Sequence, residues 1–275
     1  MFSVVIPVYN HRPYILDGLV SALRARLVAE VLVADDGSRD GSAALLERIA
    51  APHGARVRNL TPPGGGNAGA HARLNQLIEA AGQPWIAVLN SDDAFLPDRF
   101  AAAAQRVRKT AVDFVAGHIL IMDEEGRPLG RKRGPLDPEY PFPAGLDVAG
   151  LLAAGDLLPL LANQNFLATT SNMMFTRALW QRIGGFADYR YVHDWDFALR
   201  AAVLGTPAYL PLYLTSYRVH RSNTISESTE RVDRETTDVF RRFAADFPDR
   251  AARPEVAAAL AGNRHILHDA PEAAA

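Results

Sequence analysis

The sequence predicts an α/β fold in which a mainly parallel β-sheet carries helices on both faces. Short apolar runs alternate with segments of helical periodicity along the first part of the chain, which is the order of a parallel sheet with crossover helices. The runs are continuously apolar, as expected of parallel strands that are buried on both faces. The chain has 275 residues, enough to bury a substantial core.

The predicted elements are regular in the first third of the chain and less regular beyond it. In the first part, strands are predicted at 3–9, 30–34, 56–60 and 85–89, and helices at 14–26, 41–50 and 71–81. Further strands are predicted at 113–122, 171–175 and 209–219, and helices at 194–204 and 231–247. An interrupted helix is predicted at 148–161, a mobile loop rich in Pro, Gly and Arg at 126–145, and a loosely held tail from 248 onwards.

The composition excludes several classes of protein. Lys and Arg number 29 and Asp and Glu 31, so the formal net charge of −2 gives no electrostatic grip on nucleic acid. The chain has no cysteine, which excludes disulfides, thiolate zinc sites and cysteine nucleophiles and fits a reducing compartment. No signal peptide and no transmembrane segment are predicted. We therefore expect a cytoplasmic protein and leave two options open: peripheral contact with the inner face of a membrane, and a homodimer through the helix around Phe240.

Two pairs of aspartates mark one edge of the predicted sheet. Asp35 and Asp36 follow the second strand, and Asp92 and Asp93 follow the fourth. Ligands of open α/β sheets bind beyond the carboxyl ends of the strands, so we expect both pairs to face one crevice. Hard divalent cations prefer such oxygen ligands. An Asp-Asp pair alone is also typical of a turn or a helix cap, so further motifs have to decide.

An ordered set of short motifs accompanies these pairs along the chain. They are the segments 3–10 (SVVIPVYN), 35–38 (DDGS), 67–69 (NAG) with Arg73 and Asn75, 90–93 (NSDD), 184–186 (GGF), 193–196 (HDWD) and 217–220 (YRVH). In this order, over residues 2–220, they resemble the family 2 glycosyltransferases of the GT-A fold. The resemblance implies a Rossmann-like GT-A domain at 1–222, with a nucleotide-sugar-binding half at 1–110 and an acceptor-side catalytic half at 111–222. A helical extension and tail follow at 223–275.

The resemblance also implies an activity, namely metal-dependent, inverting transfer of a sugar from a nucleoside diphosphate sugar, with a UDP-sugar favoured. The acceptor is a hydroxyl of a glycan, a lipid-linked sugar or a small molecule. Asp93 and His220 are assigned to a Mn²⁺ or Mg²⁺ ion that stabilises the departing diphosphate, Asp92 to the ribose or the metal's water shell, and Asp36 to the nucleoside. The other donor contacts that the resemblance implies are Pro7, Tyr9, Asn10, Asn67, Gly69 and Arg73.

Asp194 matches the position of the family's catalytic base. A positioned carboxylate accepts the proton of the acceptor hydroxyl as that hydroxyl attacks the anomeric carbon, and attack from the face opposite the diphosphate inverts the centre. Asp196, two positions further on, points in a different direction on a helix. Where the family often has an acidic residue just before the base, this chain has His193, and that departure bears on the assignment of the base.

Three other interpretations compete with this one. Segment 64–69 (GGGNAG) satisfies the dinucleotide-binding fingerprint, but it follows a later strand, after two prolines, rather than the first strand. A sugar-1-phosphate nucleotidyltransferase would carry a Gly-rich basic loop directly after the first strand, where residues 8–13 contain no glycine. The third is a non-catalytic nucleotide-sugar-binding module, and the intact aspartates of the motifs argue against it. The Arg-rich segment 127–133 is either a solvated loop or a lid over an anionic ligand.

Overall fold

One mixed sheet organises the protein. The computed structural model describes residues 1–64, 66–138, 142–221, 223 and 228–262. The strands are β1 (Phe2–Val8), β2 (Val28–Asp35), β3 (Val57–Asn59), β4 (Trp85–Val88), β5 (Ala94–Phe95), β6 (Phe114–Met122), β7 (Pro128–Lys132), β8 (Met174–Thr176) and β9 (Pro207–Arg218). They form a nine-stranded sheet in the order β3-β2-β1-β4-β8-β6-β9-β5, with β7 paired to β6 outside this path.

Helices cover both faces of this sheet. They are α1 (Ile15–Leu23), α2 (Ser42–Ala50), α3 (Ala70–Glu79), α4 (Arg99–Lys109), α5 (Val148–Ala154), α6 (Leu158–Asn163), α7 (Arg177–Ile183), α8 (His193–Leu204), α9 (Thr229–Asp246), α10 (Pro248–Ala251) and α11 (Pro254–Gly262). Short 3₁₀ helices occur at Ala51–Arg56, Gly134–Leu136 and Thr170–Asn172. The predicted α/β class, with a sheet between helical layers, is confirmed.

The first four strands of the sheet show why a parallel arrangement was predicted. β1 pairs in parallel with β2 and β4, and β2 pairs in parallel with β3. Successive side chains of β1 enter opposite cores: Val4 and Ile6 pack with the residues of α1 and α2, whereas Val5 packs with those of α3. Both faces of the strand are therefore buried, which requires an apolar residue at nearly every position.

The second part of the sheet is mixed. Strand β8 is antiparallel to both β4 and β6, and it joins the two parts of the sheet. Strand β9 is parallel to β6 and antiparallel to β5. The sheet thus runs without a break from the expected donor half into the expected acceptor half, and the boundaries at 110 and 222 stay predictions.

Three details of the sequence-based prediction are corrected by the structure. The loop predicted at 126–145 is wrong for 128–132, because β7 pairs with β6 as an edge strand whose exposed residues lack an apolar pattern. The interrupted segment 148–161 is two helices, α5 and α6, separated at Gly155, which has a φ of 71°. The chain after residue 248 is not loosely held as far as 262, since α11 buries Val256 and Ala259 in the core. Residues 263–275 lie outside the described part.

The carboxyl ends of β1, β2 and β4 point to one edge of the molecule, and β9 ends at the same edge. That edge carries most of the motif residues. Among the described residues, no helix has both the length and the apolar character needed to cross a bilayer.

Candidate active site

A histidine–aspartate cluster lies at this edge and consists of His11, Asp92 and His220. One Asp92 oxygen, Oδ2, lies 3.0 Å from His220 Nε2 and 3.7 Å from His11 Nε2. One side-chain nitrogen or oxygen of each residue lies within 4.8 Å of those of the other two, a spacing that a single cation can bridge. The second oxygen, Asp92 Oδ1, is buried and has no hydrogen-bond partner among the described residues. The cluster therefore retains a carboxylate oxygen that can bind a ligand.

Three separate parts of the chain bring the cluster together. His11 follows β1 after Asn10, whose φ of 54° turns the backbone sharply at the end of the strand. His11 Nδ1 lies 2.8 Å from Ser91 Oγ, which fixes the ring so that Nε2 faces Asp92. His220 comes two residues after β9, and its backbone N–H donates to Asn223 Oδ1 at 2.5 Å. A histidine whose second ring nitrogen is held by a neighbour, as in His11, is typical of metal ligands.

The ionisation of the cluster suits a cation. Burial opposes the charge of Asp92, but the adjacent His11 and His220 rings outweigh it, so the pKa of Asp92 is lowered. Burial lowers the pKa of His11, although the charge of Asp92 acts in the opposite direction. An ionised carboxylate beside a neutral imidazole is the form in which both groups bind metals.

Asp93 occupies a different position from Asp92. It is completely buried, and Oδ1 accepts a hydrogen bond from the Arg218 backbone N–H at 2.9 Å. Oδ2 accepts hydrogen bonds from Thr169 Oγ1 at 3.0 Å and from Ser171 Oγ at 2.6 Å. Burial and the neighbouring charge of Asp92 raise the pKa of Asp93. The structure thus brings His220 together with Asp92. Asp93 instead holds the end of β9 and the segment before β8 together through its hydrogen bonds.

The two carboxylates of the first aspartate pair also differ in their hydrogen-bond partners. Asp36 Oδ1 accepts from Ala68 N at 2.8 Å and from Arg73 Nε at 2.8 Å, and Oδ2 accepts from Gly69 N at 2.9 Å. Asp36 thereby holds the loop that leads into α3. Asp35 Oδ1 accepts hydrogen bonds from the N–H groups of Gly37 and Ser38. Asp35 Oδ2 is buried and has no hydrogen-bond partner among the described residues. The oxygen left for a ligand belongs to Asp35, which the motif-based assignment did not name.

The remaining donor-side residues lie where the loops after β1, β2 and β3 meet. Asn10 Oδ1 accepts from Arg39 N at 2.8 Å, and the Asn10 N–H donates to Ser38 Oγ at 2.8 Å. Asn67 Oδ1 accepts from Gly69 N at 3.1 Å. Pro7 is partly buried at the end of β1, and the following Tyr9 is 40% exposed, which leaves its ring free to pack on a ligand. The predicted residues 10, 36, 67, 69 and 73 thus lie in loops joined by hydrogen bonds, and residues 7 and 9 precede Asn10 in the chain; we refer to this set as the wall.

Asp194 lies in the first turn of α8 and is nearly buried. Its Oδ2 accepts from Asn165 Nδ2 at 3.2 Å, and its Oδ1 accepts from the Trp195 N–H at 2.7 Å. The neighbouring His193 is also buried, and burial lowers its pKa although the charge of Asp194 raises it. Asp196 instead forms an ion pair with Arg200 on the same helix. The two aspartates of this motif thus have different surroundings, as the helical spacing predicted.

A short segment around Thr169 and Thr170 lies between Asp93 and His193, the residue before Asp194. Thr169 donates to Asp93, and Thr170 Oγ1 lies 3.4 Å from Nε2 of His193, the residue before Asp194. The same segment accepts a hydrogen bond from Asn90, whose backbone N–H donates to Ser171 Oγ at 2.8 Å. The motifs at 90–93 and 193–196 therefore flank one 3₁₀ turn, although about a hundred residues separate them in the chain.

Comparisons with known proteins identify relatives of the chain. Residues 3–179 match the family model described as Glycosyl transferase family 2. The succinoglycan biosynthesis protein ExoO of Rhizobium meliloti is 33% identical over 131 residues, which are 46% of this chain and 35% of that protein. ExoU of the same organism is 32% identical over 149 residues, 54% of this chain and 41% of that protein. The matches thus span less than half the length of these two relatives.

Solved structures share the fold at low sequence identity. TarS 1–349 of S. aureus in complex with UDP-GlcNAc superposes with a TM-score of 0.66 at 17% identity, covering 97% of this chain and 70% of that chain. The mannosyltransferase PcManGT from Pyrobaculum calidifontis, in complex with GDP-Man and Mn²⁺, superposes with a TM-score of 0.63 at 18% identity, covering 100% and 76%. At these identities the superpositions support the GT-A fold and not the substrate.

Proposed function

The chain belongs to glycosyl transferase family 2, and on that premise we propose that it transfers a sugar, with inversion, from a nucleoside diphosphate sugar to an acceptor hydroxyl. The observation that carries the proposal is that Thr169 and the 3₁₀ turn Thr170–Asn172 contact both Asp93, the residue after Asp92, and His193, the residue before Asp194. One side of this site suits a cation and a diphosphate, and the other offers a carboxylate to an incoming alcohol. Those are the two requirements of the reaction.

We assign the divalent metal to Asp92, His220 and His11. The residues fit a cation because Asp92 Oδ1 is buried without a partner among the described residues and because Ser91 holds the far nitrogen of His11. When bound, the cation would neutralise the charge that grows on the departing diphosphate. Two imidazoles with one carboxylate favour Mn²⁺ over Mg²⁺, which prefers oxygen ligands. Asp93, which the motifs suggested as the ligand, is proposed instead to hold the loop behind it.

Asp194 is proposed as the general base. Asn165 holds one of its oxygens at 3.2 Å and the Trp195 amide holds the other at 2.7 Å, so the carboxylate is oriented from both sides. A carboxylate oxygen has more than one lone pair, so Oδ2 can accept the acceptor proton while Asn165 orients it. Attack from this side, opposite the diphosphate, inverts the anomeric centre.

The donor is proposed to be a UDP-sugar, with a GDP-sugar as the alternative because the two structural neighbours carry UDP-GlcNAc and GDP-Man respectively. Asp35 Oδ2 is buried without a partner among the described residues, and we assign it to a base N–H or a ribose hydroxyl. The exposed ring of Tyr9 lies on the same wall as a stacking surface. The acceptor class and the cytoplasmic placement stay predictions, and peripheral membrane contact and a homodimer stay open options.

The test compares wild type with Asp194→Asn in a nucleotide-release assay. The protein is incubated with UDP-sugars or GDP-mannose, Mn²⁺ and a panel of simple glycosides, and UDP or GDP release is measured with and without EDTA. We expect metal-dependent release in wild type. The variant should bind donor equally well by calorimetry but turn over about 10² to 10⁴ times more slowly, the usual contribution of a positioned base.

The matched control for that test is Asp98→Asn, an exposed aspartate before α4. It should behave as wild type. Unchanged turnover of Asp194→Asn would show that another group is the base. Pyrophosphate release from a nucleoside triphosphate and a sugar phosphate would instead establish the nucleotidyltransferase alternative.

A further inference from the structure

We propose that Glu235, on the C-terminal helix α9, is a positioning residue for Asp194, so that α9 takes part in catalysis. The inference rests on the proposed function, since it takes Asp194 as the base. The family match ends at residue 179, so both α8 and α9 lie outside it. The contact joins two helices of the C-terminal part that the family model does not cover.

Glu235 accepts hydrogen bonds from the turn that leads into α8, the helix that carries Asp194. Its Oε1 accepts from the Arg190 N–H at 2.9 Å, and its Oε2 accepts from the N–H groups of Tyr191 at 2.7 Å and Val192 at 3.3 Å. These three residues directly precede α8. The amides at a helix amino terminus lack partners within the helix, and a negative charge there is stabilising.

The local sequence cannot supply this cap. The N-cap residue of α8 is Val192, which makes no side-chain cap hydrogen bond. Residues with a capping oxygen, such as Ser, Thr, Asp or Asn, are the ones that normally serve at this position. Glu235 instead accepts from the N–H of Val192 and of the two residues before it, so a helix that is distant in the chain anchors the turn that enters α8. The backbone direction of the turn that presents Asp194 therefore depends on α9.

Helix α9 is itself firmly anchored, so it can act as a support. Val239, Phe240 and Phe243 are buried in the core. The Phe240 ring makes an edge contact with Trp195, the residue after Asp194, at 5.1 Å between ring centroids. A second attachment lies one turn along, where the Tyr189 hydroxyl donates to Asp238 Oδ2 at 2.7 Å.

The same geometry separates base positioning from donor binding. The proposed donor wall and the histidine–aspartate cluster lie at the ends of β1, β2, β4 and β9, whereas the hydrogen bonds of Glu235 described above go to the turn before α8. Loss of Glu235 should therefore displace Asp194 while the donor site stays intact. A misplacement of about 1 Å in a reacting group can cost about a hundredfold in rate.

The experiment compares Glu235→Ala and Glu235→Gln with Glu230→Ala, which changes an exposed glutamate on the same helix that forms an ion pair with Arg234. In Glu235→Ala we expect kcat to fall about tenfold to a hundredfold with the donor Kd unchanged. Hydrogen exchange of the amides at 190–192 should accelerate. Glu235→Gln, which keeps one acceptor oxygen, should show a smaller loss, and Glu230→Ala should match wild type.

A double variant tests whether Glu235 acts through Asp194. In the Asp194→Asn background, Glu235→Ala should cause no further loss of turnover, because two residues that serve one function are non-additive. An equal loss in both backgrounds, a parallel loss of donor affinity, or unchanged exchange at 190–192 would overturn the proposal. If Asp194→Asn alone keeps full turnover, the proposed base is refuted, whereas the exchange experiment still reports on the contact made by Glu235.

Discussion

The two aspartate pairs, one at the end of β2 and one after β4, share an arrangement of hydrogen bonds. They differ in the groups that surround the second carboxylate of each pair. In each pair the first carboxylate, Asp35 or Asp92, keeps a buried oxygen without a partner among the described residues, and the second, Asp36 or Asp93, is occupied by the chain itself. The second aspartate holds neighbouring segments together: Asp36 binds the loop before α3, and Asp93 binds the end of β9 and the segment before β8. An Asp-Asp motif can therefore be a turn and a binding site at the same time.

The two pairs differ in the groups that neutralise or hydrogen-bond the second carboxylate, Asp36 or Asp93. Asp36 is paired with the Arg73 guanidinium at 2.8 Å. Asp93 receives its hydrogen bonds from two hydroxyls and a backbone amide, and burial together with the charge of Asp92 raises its pKa. Asp36 thus has a guanidinium partner, whereas Asp93 is a carboxyl that ionises with difficulty because its pKa is raised. Substitution of each of the four aspartates by asparagine tests this difference.

The largest effect is expected for Asp92→Asn, which removes the proposed metal-binding carboxylate. Transfer should fall by more than about a hundredfold, because a cation on the leaving diphosphate contributes several kcal/mol to the transition state. The rate of UDP or GDP release with Mn²⁺ measures it, and Asp98→Asn is the matched control. A variant that still responds to Mn²⁺ as wild type does would remove Asp92 from the metal site.

Asp36→Asn should chiefly affect folding stability. It leaves the largely buried Arg73 without its anionic partner, and breaking a buried ion pair on one side costs about 3 to 5 kcal/mol. Urea denaturation of the metal-free protein measures the free energy of unfolding. The double variant Asp36→Asn with Arg73→Met should recover part of the loss. Equal stability of wild type and Asp36→Asn would mean that the pair does not hold the loop.

Asp35→Asn should weaken nucleotide binding and leave stability nearly unchanged. The amide oxygen can still accept the hydrogen bonds from Gly37 and Ser38. A hydrogen bond to a charged group is worth about 1.5 to 3 kcal/mol, so the affinity for UDP or GDP should fall about tenfold to a hundredfold. Calorimetric titration measures it. Unaltered affinity for both nucleotides would exclude Asp35 from the nucleoside site.

For Asp93→Asn, the effect is expected in the pH dependence of stability. The folded-state pKa of Asp93 is raised from 3.8 to about 8, so the folded form holds a proton that the unfolded form has lost over this interval. Metal-free wild type should therefore lose stability as the pH rises from 3.8 to about 8. The variant has no such proton, so its stability curve should be flatter. Denaturation at several pH values gives the difference, and parallel curves would contradict the raised pKa.

The sequence predicts the first part of the fold well, because its strands are buried on both faces. β1, β2 and β4 lie within two residues of their predicted positions. Helix α4 carried no such signal, since its first residue, Arg99, is fully buried and donates to Thr215 and to the carbonyl of Met173. A charged residue in the core interrupts the apolar periodicity on which the prediction depends.

The motifs also predict which segments meet at the site but not which side chains face it. The direction of Asp36 is set by Arg73, and that of Asp93 by Arg218, Thr169 and Ser171. These partners are distant in the sequence, so no local pattern reveals them. His11 lies one residue beyond the motif at 3–10, and its place next to a strand end was the available signal.

The central claim is that Asp92, and not Asp93, presents the metal-binding carboxylate. Mn²⁺ titration followed by electron paramagnetic resonance, with UDP present, tests it directly in wild type, Asp92→Asn and Asp93→Asn. The account predicts that wild type and Asp93→Asn bind Mn²⁺ and that Asp92→Asn does not. Retained binding in Asp92→Asn together with lost binding in a folded Asp93→Asn would contradict it.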